Sequence, residues 1–130
     1  LAGVMNQSAY CTAKFGVRGF TECLRMELMG TDVRTTVVHP GGIKTNIANN
    51  ARVGTKQTEK ERDTTASTFN KMVETTAAEA ARQILACVEK NKARLVIGKD
   101  GRMVDWLTRL MPVGYTKPIR KEMEKTFGVS

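Results

Sequence analysis

Long apolar runs, cysteine and histidine are all scarce in this sequence, and each scarcity excludes a class of protein. No stretch approaches the roughly 20 apolar residues that cross a bilayer. The start, Leu1–Met5, lacks the length and the basic flank of a signal peptide. Three cysteines without CxxC spacing indicate neither a disulfide framework nor a zinc site. His39, the single histidine, would need distant partners to bind a metal, so we expect no metal site. For the cysteines, we expect reduced thiols in a cytoplasmic protein.

Aromatic residues make up 5% of the chain and are not interleaved with its basic residues. Lys and Arg outnumber Asp and Glu by 21 to 13, and the resulting net charge of +8 makes nucleic acid the first partner to consider. The basic residues are scattered from Lys14 to Lys125, however, with no basic run and no stacking platform. We therefore favour a basic solvated surface that can attract an anionic cofactor over a nucleic-acid-binding module.

The 130 residues suit one globular domain, and its longest predicted element is a helix over residues 7–29. Apolar residues recur there at spacings of three and four, which predicts one apolar stripe. The stripe consists of Ala9, Ala13, Val17, Phe20, Leu24 and Leu28. The opposite side also carries apolar residues, among them Phe15, Met26 and Met29. A helix that is apolar on two sides indicates a second packing partner, in the same chain or in another subunit.

The rest of the chain predicts an α/β pattern with parallel strands. The strand Val33–His39 comes first, and the strand Arg94–Gly98 follows later in the chain. Between them, a helix runs from the capping box Thr76–Glu79 to about Asn91, with the core stripe Ala77, Ala81, Ile84, Leu85 and Val88. A further helix, marked by Met103, Trp106, Leu107 and Leu110, and a charged tail from Pro118 complete the chain. A strand, a crossover helix and a second strand form a right-handed βαβ unit. Because parallel sheets need several strands, we expect further strands before Leu1.

A polar, weakly patterned stretch separates the two predicted strands over residues 46–75. A connection of that length inside a compact domain is usually a lid, a binding loop or disorder, with room for a short helix.

Tyr10 and Lys14 lie four residues apart near the start of the first helix. That spacing places both side chains on one face, flanking the apolar stripe, so we expect them to face the sheet rather than bulk water. A neighbouring ammonium favours the phenolate form of a tyrosine, and such a tyrosine can transfer a proton near neutral pH. The alternative is a surface tyrosine packed on a lysine stem.

The second candidate motif, PGGIKT at residues 40–45, directly follows the strand Val33–His39. Open α/β sheets bind ligands at the carboxyl ends of their strands. Gly41 lets the backbone approach a ligand closely, Ile43 offers main-chain polar groups, and Thr45 offers a hydroxyl. The alternative is a plain loop, because Pro-Gly is common at turns.

In combination, the motifs SAYCTAK at 8–14 and HPGGIKT at 39–45 resemble the short-chain dehydrogenase/reductase family. The resemblance covers essentially the whole chain, as the C-terminal half of such an enzyme. It implies the C-terminal part of a Rossmann-type doubly wound parallel sheet, with residues 1–130 forming a portion of a single NAD(P)-binding domain and 46–75 its substrate lid. It also implies hydride transfer between NAD or NADP and an alcohol/carbonyl substrate, and a dimer or tetramer built on the first helix.

The resemblance also assigns roles to individual residues. It implies that Tyr10 is the general acid/base and that Lys14 assists it and binds the nicotinamide ribose. Pro40 and Gly41 would form the turn beside the nicotinamide. Ile43 would bond the carboxamide through its backbone, and Thr45 would reach the carboxamide or the pyrophosphate. Val4 and Met5, which are apolar, would border a partly hydrophobic substrate pocket.

Other parts of the family's machinery would lie before Leu1. The family's catalytic serine lies about thirteen residues before the tyrosine, and the Gly-rich cofactor turn and the residue that selects NAD or NADP come earlier still. We therefore expect this chain alone to bind cofactor poorly and to catalyse little. The alternative hypothesis is a non-catalytic truncated product that dimerises through the helix at 7–29.

Overall fold

Five helices and four short strands make up the described part of the chain. The computed structural model describes residues 1–47, 50 and 59–128, apart from the side chains at 59–62, 65, 72 and 127. In chain order the elements are α1 (Ser8–Glu27), β1 (Val37–Pro40), β2 (Ile43–Lys44), α2 (Glu59–Met72), β3 (Thr75–Thr76), α3 (Ala77–Glu89), β4 (Arg94–Ile97), α4 (Lys99–Leu110) and α5 (Thr116–Phe127). The predicted α/β class is confirmed.

Two pairs of parallel strands organise these elements. β1 pairs with β4 in a register that runs from Val37 opposite Arg94 to Pro40 opposite Ile97. The expected parallel βαβ arrangement is therefore confirmed, with α3 leading into β4. β2 pairs with β3, a two-residue ladder that the sequence pattern did not predict. β2 follows β1, and β3 directly precedes α3. This short ladder therefore holds together the two ends of the chain segment between β2 and β3.

The first predicted strand is shorter than expected. Val33–His39 was predicted, but β1 begins at Val37, and Val33 is exposed. The partner strand β4 begins at Arg94, opposite Val37, so the residues before Val37 have no ladder partner in β4. Side-chain hydrogen bonds hold the residues before β1 instead. Arg25 of α1 donates to the Thr35 carbonyl at 2.8 Å, and the Thr36 hydroxyl donates to the Lys92 carbonyl at 2.9 Å.

The long connection at 46–75 contains a helix of 14 residues, α2. This helix packs against α5 and ends directly before β3. Residues 48, 49 and 51–58 of the predicted lid lie outside the described residues. The sequence left room for a short helix within this connection, and α2 covers about half of the connection's length.

The buried core lies mainly where α3 and β4 meet. Ile97 is fully buried, and Ala80 and Cys87 of α3 are 4% and 3% exposed. The N-cap half of the predicted capping box is confirmed, because the Thr76 hydroxyl accepts a hydrogen bond from the Glu79 amide at 3.2 Å. The Glu79 carboxylate instead accepts from Gln83 and Arg82. Within the described ranges, every helix falls short of the length or the hydropathy that a membrane span requires.

Most of the predicted apolar stripe of α1 is not covered. Ala9, Ala13, Val17 and Phe20 are exposed, and α1 contains no fully buried residue. The half-buried residues lie mostly on a neighbouring face, at Cys11, Arg18, Thr21 and Arg25, and of the stripe only Leu24 and Leu28 are half-buried. A helix of 20 residues is about 30 Å long, whereas four-residue strands span roughly 13 Å. The two-stranded sheet is therefore too small to cover the stripe that periodicity identifies.

The stripes predicted for the two later helices are also mostly exposed. In α3, Leu85 and Val88 are exposed, and the covered positions are Ala80 and Cys87. In α4, Met103, Trp106 and Leu110 are exposed, while Gly101 is the buried residue. Periodicity located each helix correctly but misjudged its orientation, because small residues let a helix lie closer to the sheet than large ones do.

Candidate active site

The first helix presents Tyr10 and Lys14 as a contacting pair. The Lys14 Nζ lies 5.5 Å from the centroid of the Tyr10 ring, which is the geometry of a cation–π contact. Spacing of four residues on one helix brings the two side chains together, as expected. The expectation that both would be shielded from water is wrong, because Lys14 is exposed and Tyr10 is 59% exposed. Both lie on a helix face that the narrow sheet leaves open.

The turn after β1 is fixed by hydrogen bonds from its own backbone. The Gly41 amide donates to the Ile97 carbonyl at 2.9 Å, which extends the β1–β4 ladder by one step. The Gly42 amide donates to Asp100 Oδ2 at 2.6 Å. A Cβ added at Gly41 would overlap the Asp100 carboxylate, so a side chain here would displace Asp100 from its present position.

A cleft of about 360 Å³ joins the pair on α1 to this turn. Its walls come from the N-terminal segment, α1, β1 and the start of α4. Five of the eight residues predicted for the site line it: Val4, Tyr10, Lys14, Pro40 and Gly41. The carboxyl end of β1 therefore meets α1, as expected for a ligand site in an open α/β sheet.

The other three predicted residues, Met5, Ile43 and Thr45, do not line this cleft. Ile43 lies in β2 and pairs with Thr75 of β3. The Thr45 hydroxyl accepts a long hydrogen bond of 3.4 Å from the Ile47 amide. Ile43 therefore lies in the β2–β3 ladder that follows the turn, and Thr45 lies directly after β2.

Among the cleft residues that the sequence analysis did not assign to the site are two titratable ones near the turn, His39 and Asp100. His39 was considered only as a metal ligand, and its position directly before the Pro-Gly turn was the available signal. Asp100 lies 60 residues after Pro40, and no local pattern connects the two. In the described part of the chain, no group of three or more potential metal ligands is present.

Burial shapes the electrostatics of His39. Its Nε2 is buried and finds no hydrogen-bond partner among the described residues. Burial disfavours the imidazolium and, with the nearby charges of Arg94 and Arg18, lowers the His39 pKa to about 4, against the opposing charge of Asp105. His39 is therefore neutral at physiological pH and offers the cleft an uncharged polar edge.

Comparison with known proteins identifies the chain's relatives. The family model described as short chain dehydrogenase matches residues 1–56. A protein named "Putative oxidoreductase SadH" from Mycobacterium tuberculosis is 41% identical over 130 residues, which is 98% of this chain and 46% of that protein. "Dehydrogenase/reductase SDR family member 7B" from Xenopus laevis is 35% identical over 112 residues, which is 82% of this chain and 32% of that protein. No solved structure matches the chain significantly.

The chain thus spans about half the length of the SadH protein and about a third of the length of the Xenopus laevis protein. The matched residues 1–56 include the Tyr10–Lys14 pair and the turn at Pro40. The similarity to SadH continues through the later helices and β4. Short parallel strands flanked by helices are what part of a Rossmann-type fold would provide. The chain belongs to the short-chain dehydrogenase family.

Proposed function

We propose that the protein containing this chain is an oxidoreductase that transfers a hydride between NAD or NADP and an alcohol/carbonyl substrate. One observation carries the proposal. A single cleft holds the Tyr10–Lys14 pair of α1 and the Pro40–Gly41 turn at the carboxyl end of β1. Within that protein, residues 1–130 form the C-terminal portion of a single dinucleotide-binding domain. The segment 46–75 acts as its substrate lid.

The residues at the cleft fit a nicotinamide dinucleotide. Pro40 and Gly41 border the cleft, so a planar ring bound there can lie against the turn. Lys14 supplies a cation suited to ribose hydroxyls and phosphate. Ile43 and Thr45, which follow the turn, are proposed to hold the carboxamide and the pyrophosphate. When bound, the dinucleotide supplies or accepts the hydride.

Tyr10 is proposed to move the proton that accompanies hydride transfer. Its phenol donates a proton to the substrate oxygen during carbonyl reduction, and its phenolate accepts that proton during alcohol oxidation. Lys14, whose Nζ lies 5.5 Å from the centroid of the Tyr10 ring, is proposed to assist this proton transfer as the neighbouring cation. Val4, which lines the cleft, and Met5 beside it are proposed to contact an apolar part of the substrate.

The Tyr10→Phe variant tests the assignment in the product of the complete reading frame that contains these residues. We expect kcat to fall at least about 100-fold on an active alcohol or ketone, because general acid/base catalysis contributes roughly that much or more. The affinity for NADH or NADPH should stay within about threefold, because the ring remains. Stopped-flow absorbance of the dinucleotide and fluorescence titration measure the two quantities.

Tyr115→Phe is the matched control, because it removes the same hydroxyl from the only other tyrosine in the chain. Tyr115 lies outside this cleft, and its hydroxyl accepts from the Gly3 amide at 3.3 Å. We expect it to retain wild-type kcat. A Tyr10→Phe protein that keeps wild-type kcat would contradict the role of Tyr10.

A further inference from the structure

Asp100 connects the first turn of α4 to the turn that follows β1. Its Oδ2 accepts from the Gly42 amide at 2.6 Å, across 58 residues of sequence. One residue earlier, the Gly41 amide donates to the Ile97 carbonyl at 2.9 Å. Two consecutive amides of the turn are thus bound by the end of β4 and the start of α4.

Three glycines make this close approach possible. A Cβ at Gly41 would overlap the Asp100 carboxylate, and a Cβ at Gly101 would lie 3.2 Å from the Gly41 nitrogen. Gly98 has φ +86°, a left-handed conformation that leads from β4 directly into α4. At Gly101 the backbone of α4 therefore lies so close to the turn that even a methyl group would require the turn to shift.

The charge of Asp100 suits its location. It lies in the first turn of α4, where the helix dipole favours a carboxylate. The adjacent Lys99 points elsewhere, because its Nζ pairs with Glu74 at 3.0 Å. A charged acceptor binds a backbone amide more strongly than a neutral acceptor does.

We infer that Asp100 is a positioning residue that sets the conformation of the Pro40–Gly42 turn for the nicotinamide end of the cofactor. This inference rests on the proposed function, because it needs a dinucleotide beside the turn. Asp100 acts through the Gly42 amide. Its loss therefore weakens binding of the nicotinamide end and leaves binding of the adenosine end unchanged.

The test compares two ligands in wild type, Asp100→Ala and Asp100→Asn, using the product of the complete reading frame. NADH contains the nicotinamide, whereas ADP-ribose lacks it; the 2′-phosphorylated forms replace both if wild type prefers NADPH. We expect Asp100→Ala to raise the Kd of NADH about tenfold or more, the usual effect of losing a charged hydrogen-bond acceptor. The Kd of ADP-ribose should change less than about twofold.

Asp100→Asn is the conservative variant, because its amide oxygen can still accept from Gly42, and we expect it to restore NADH binding to within about threefold of wild type. Gly101→Ala provides a second variant, which disturbs the same contact from the α4 side. We expect it to show the same selective loss of NADH affinity even if Asp100→Ala does not fold.

Equal loss of NADH and ADP-ribose affinity in the variants would overturn the positioning role, and so would unchanged NADH affinity. A wild-type protein that binds neither NADH nor NADPH would instead overturn the proposed function, and the inference with it. The two failures are therefore distinguished by the wild-type titration alone.

Discussion

His39 is a titratable residue held in its neutral form by its surroundings. It lies in β1, with Nε2 buried, and the charges acting on it are Arg94 from β4, the Leu1 amino group, Arg18 from α1 and Asp105 from α4. Burial is the largest cause of its low pKa, and the two arginines act in the same direction. In the unfolded chain the imidazole regains water and its ordinary pKa.

The stability of the protein is expected to depend on pH through His39. Its pKa falls from 6.5 to about 4 on folding, so the unfolded state binds a proton that the native state does not. The stabilisation is present above pH 6.5 and is lost as the pH falls toward 4, with a slope below about 1.4 kcal/mol per pH unit because solvent screens part of the effect at a half-buried side chain. Urea unfolding at several pH values measures the slope.

His39→Gln, which cannot be protonated in this range, is the control for that slope. We expect its unfolding free energy to change less with pH between 6.5 and 4 than that of wild type. Identical pH profiles for the two proteins would show that His39 is as accessible to protons in the native state as in the unfolded state.

At the scale of elements, one ion pair ties α4 to β4. Both Arg94 Nη atoms donate to the Asp105 carboxylate, at 2.6 and 2.9 Å, and Arg109 adds a contact of 3.2 Å. The Arg94 and Asp105 side chains are 22% and 16% exposed. Hydrogen bonding from Arg94 and then from Arg109 lowers the Asp105 pKa to about 2, against the opposing effect of burial.

Asp105→Asn is expected to lower the free energy of unfolding at pH 7 by roughly 2 kcal/mol, since it leaves Arg94 half-buried without its charge partner. Because the pKa of Asp105 is depressed on folding, its contribution is present above about pH 4 and is lost as the pH falls toward 2. The variant should lack this acid-dependent loss. Chemical unfolding at pH 7 and at pH 3 measures both effects.

Glu124→Gln is the matched control on α5. It removes the same charge from an exposed pair with Arg120 at 2.7 Å, and such pairs contribute at most about 0.5 kcal/mol. Equal destabilisation by the two substitutions would mean that Asp105 is no better shielded from solvent than Glu124.

The elements themselves were mostly predictable, because helices leave local signals. The capping box at Thr76 and the helical periodicities located α1, α3 and α4. The ends of β1 were not predictable, because a strand extends only as far as its partner, and that partner begins at Arg94. The β2–β3 ladder was missed for the same reason, since two residues carry no periodicity of their own.

At the scale of the whole molecule, α1 leaves a large apolar surface uncovered. Val17, Phe20 and Met26 are each at least 60% exposed, and α1 has no fully buried residue. Apolar surface of this kind usually marks a contact with further protein. A second partner for α1, as its two apolar sides predicted, remains an expectation.

The 130-residue chain produced by itself is expected to self-associate through α1. Sedimentation velocity over a range of concentrations should show a dimer or larger species, because burying the exposed stripe removes apolar area from water. Phe20→Glu should shift the distribution toward monomer. Val113→Glu, at an exposed apolar position after α4, should not. A chain that sediments as a monomer at every concentration, with cooperative unfolding, would contradict this expectation.

The sequence by itself determined the local features: where helices lie, how α3 begins, that β1 and β4 run parallel, and that the motifs at Tyr10 and Pro40 resemble one family. These follow from spacing along the chain. Only the tertiary structure decided which helix face meets the sheet, that Tyr10 is exposed, and that Asp100 reaches Gly42 across 58 residues. Such contacts depend on how closely backbones approach. Distant small residues such as Gly41 and Gly101 set that approach, and no local pattern records it.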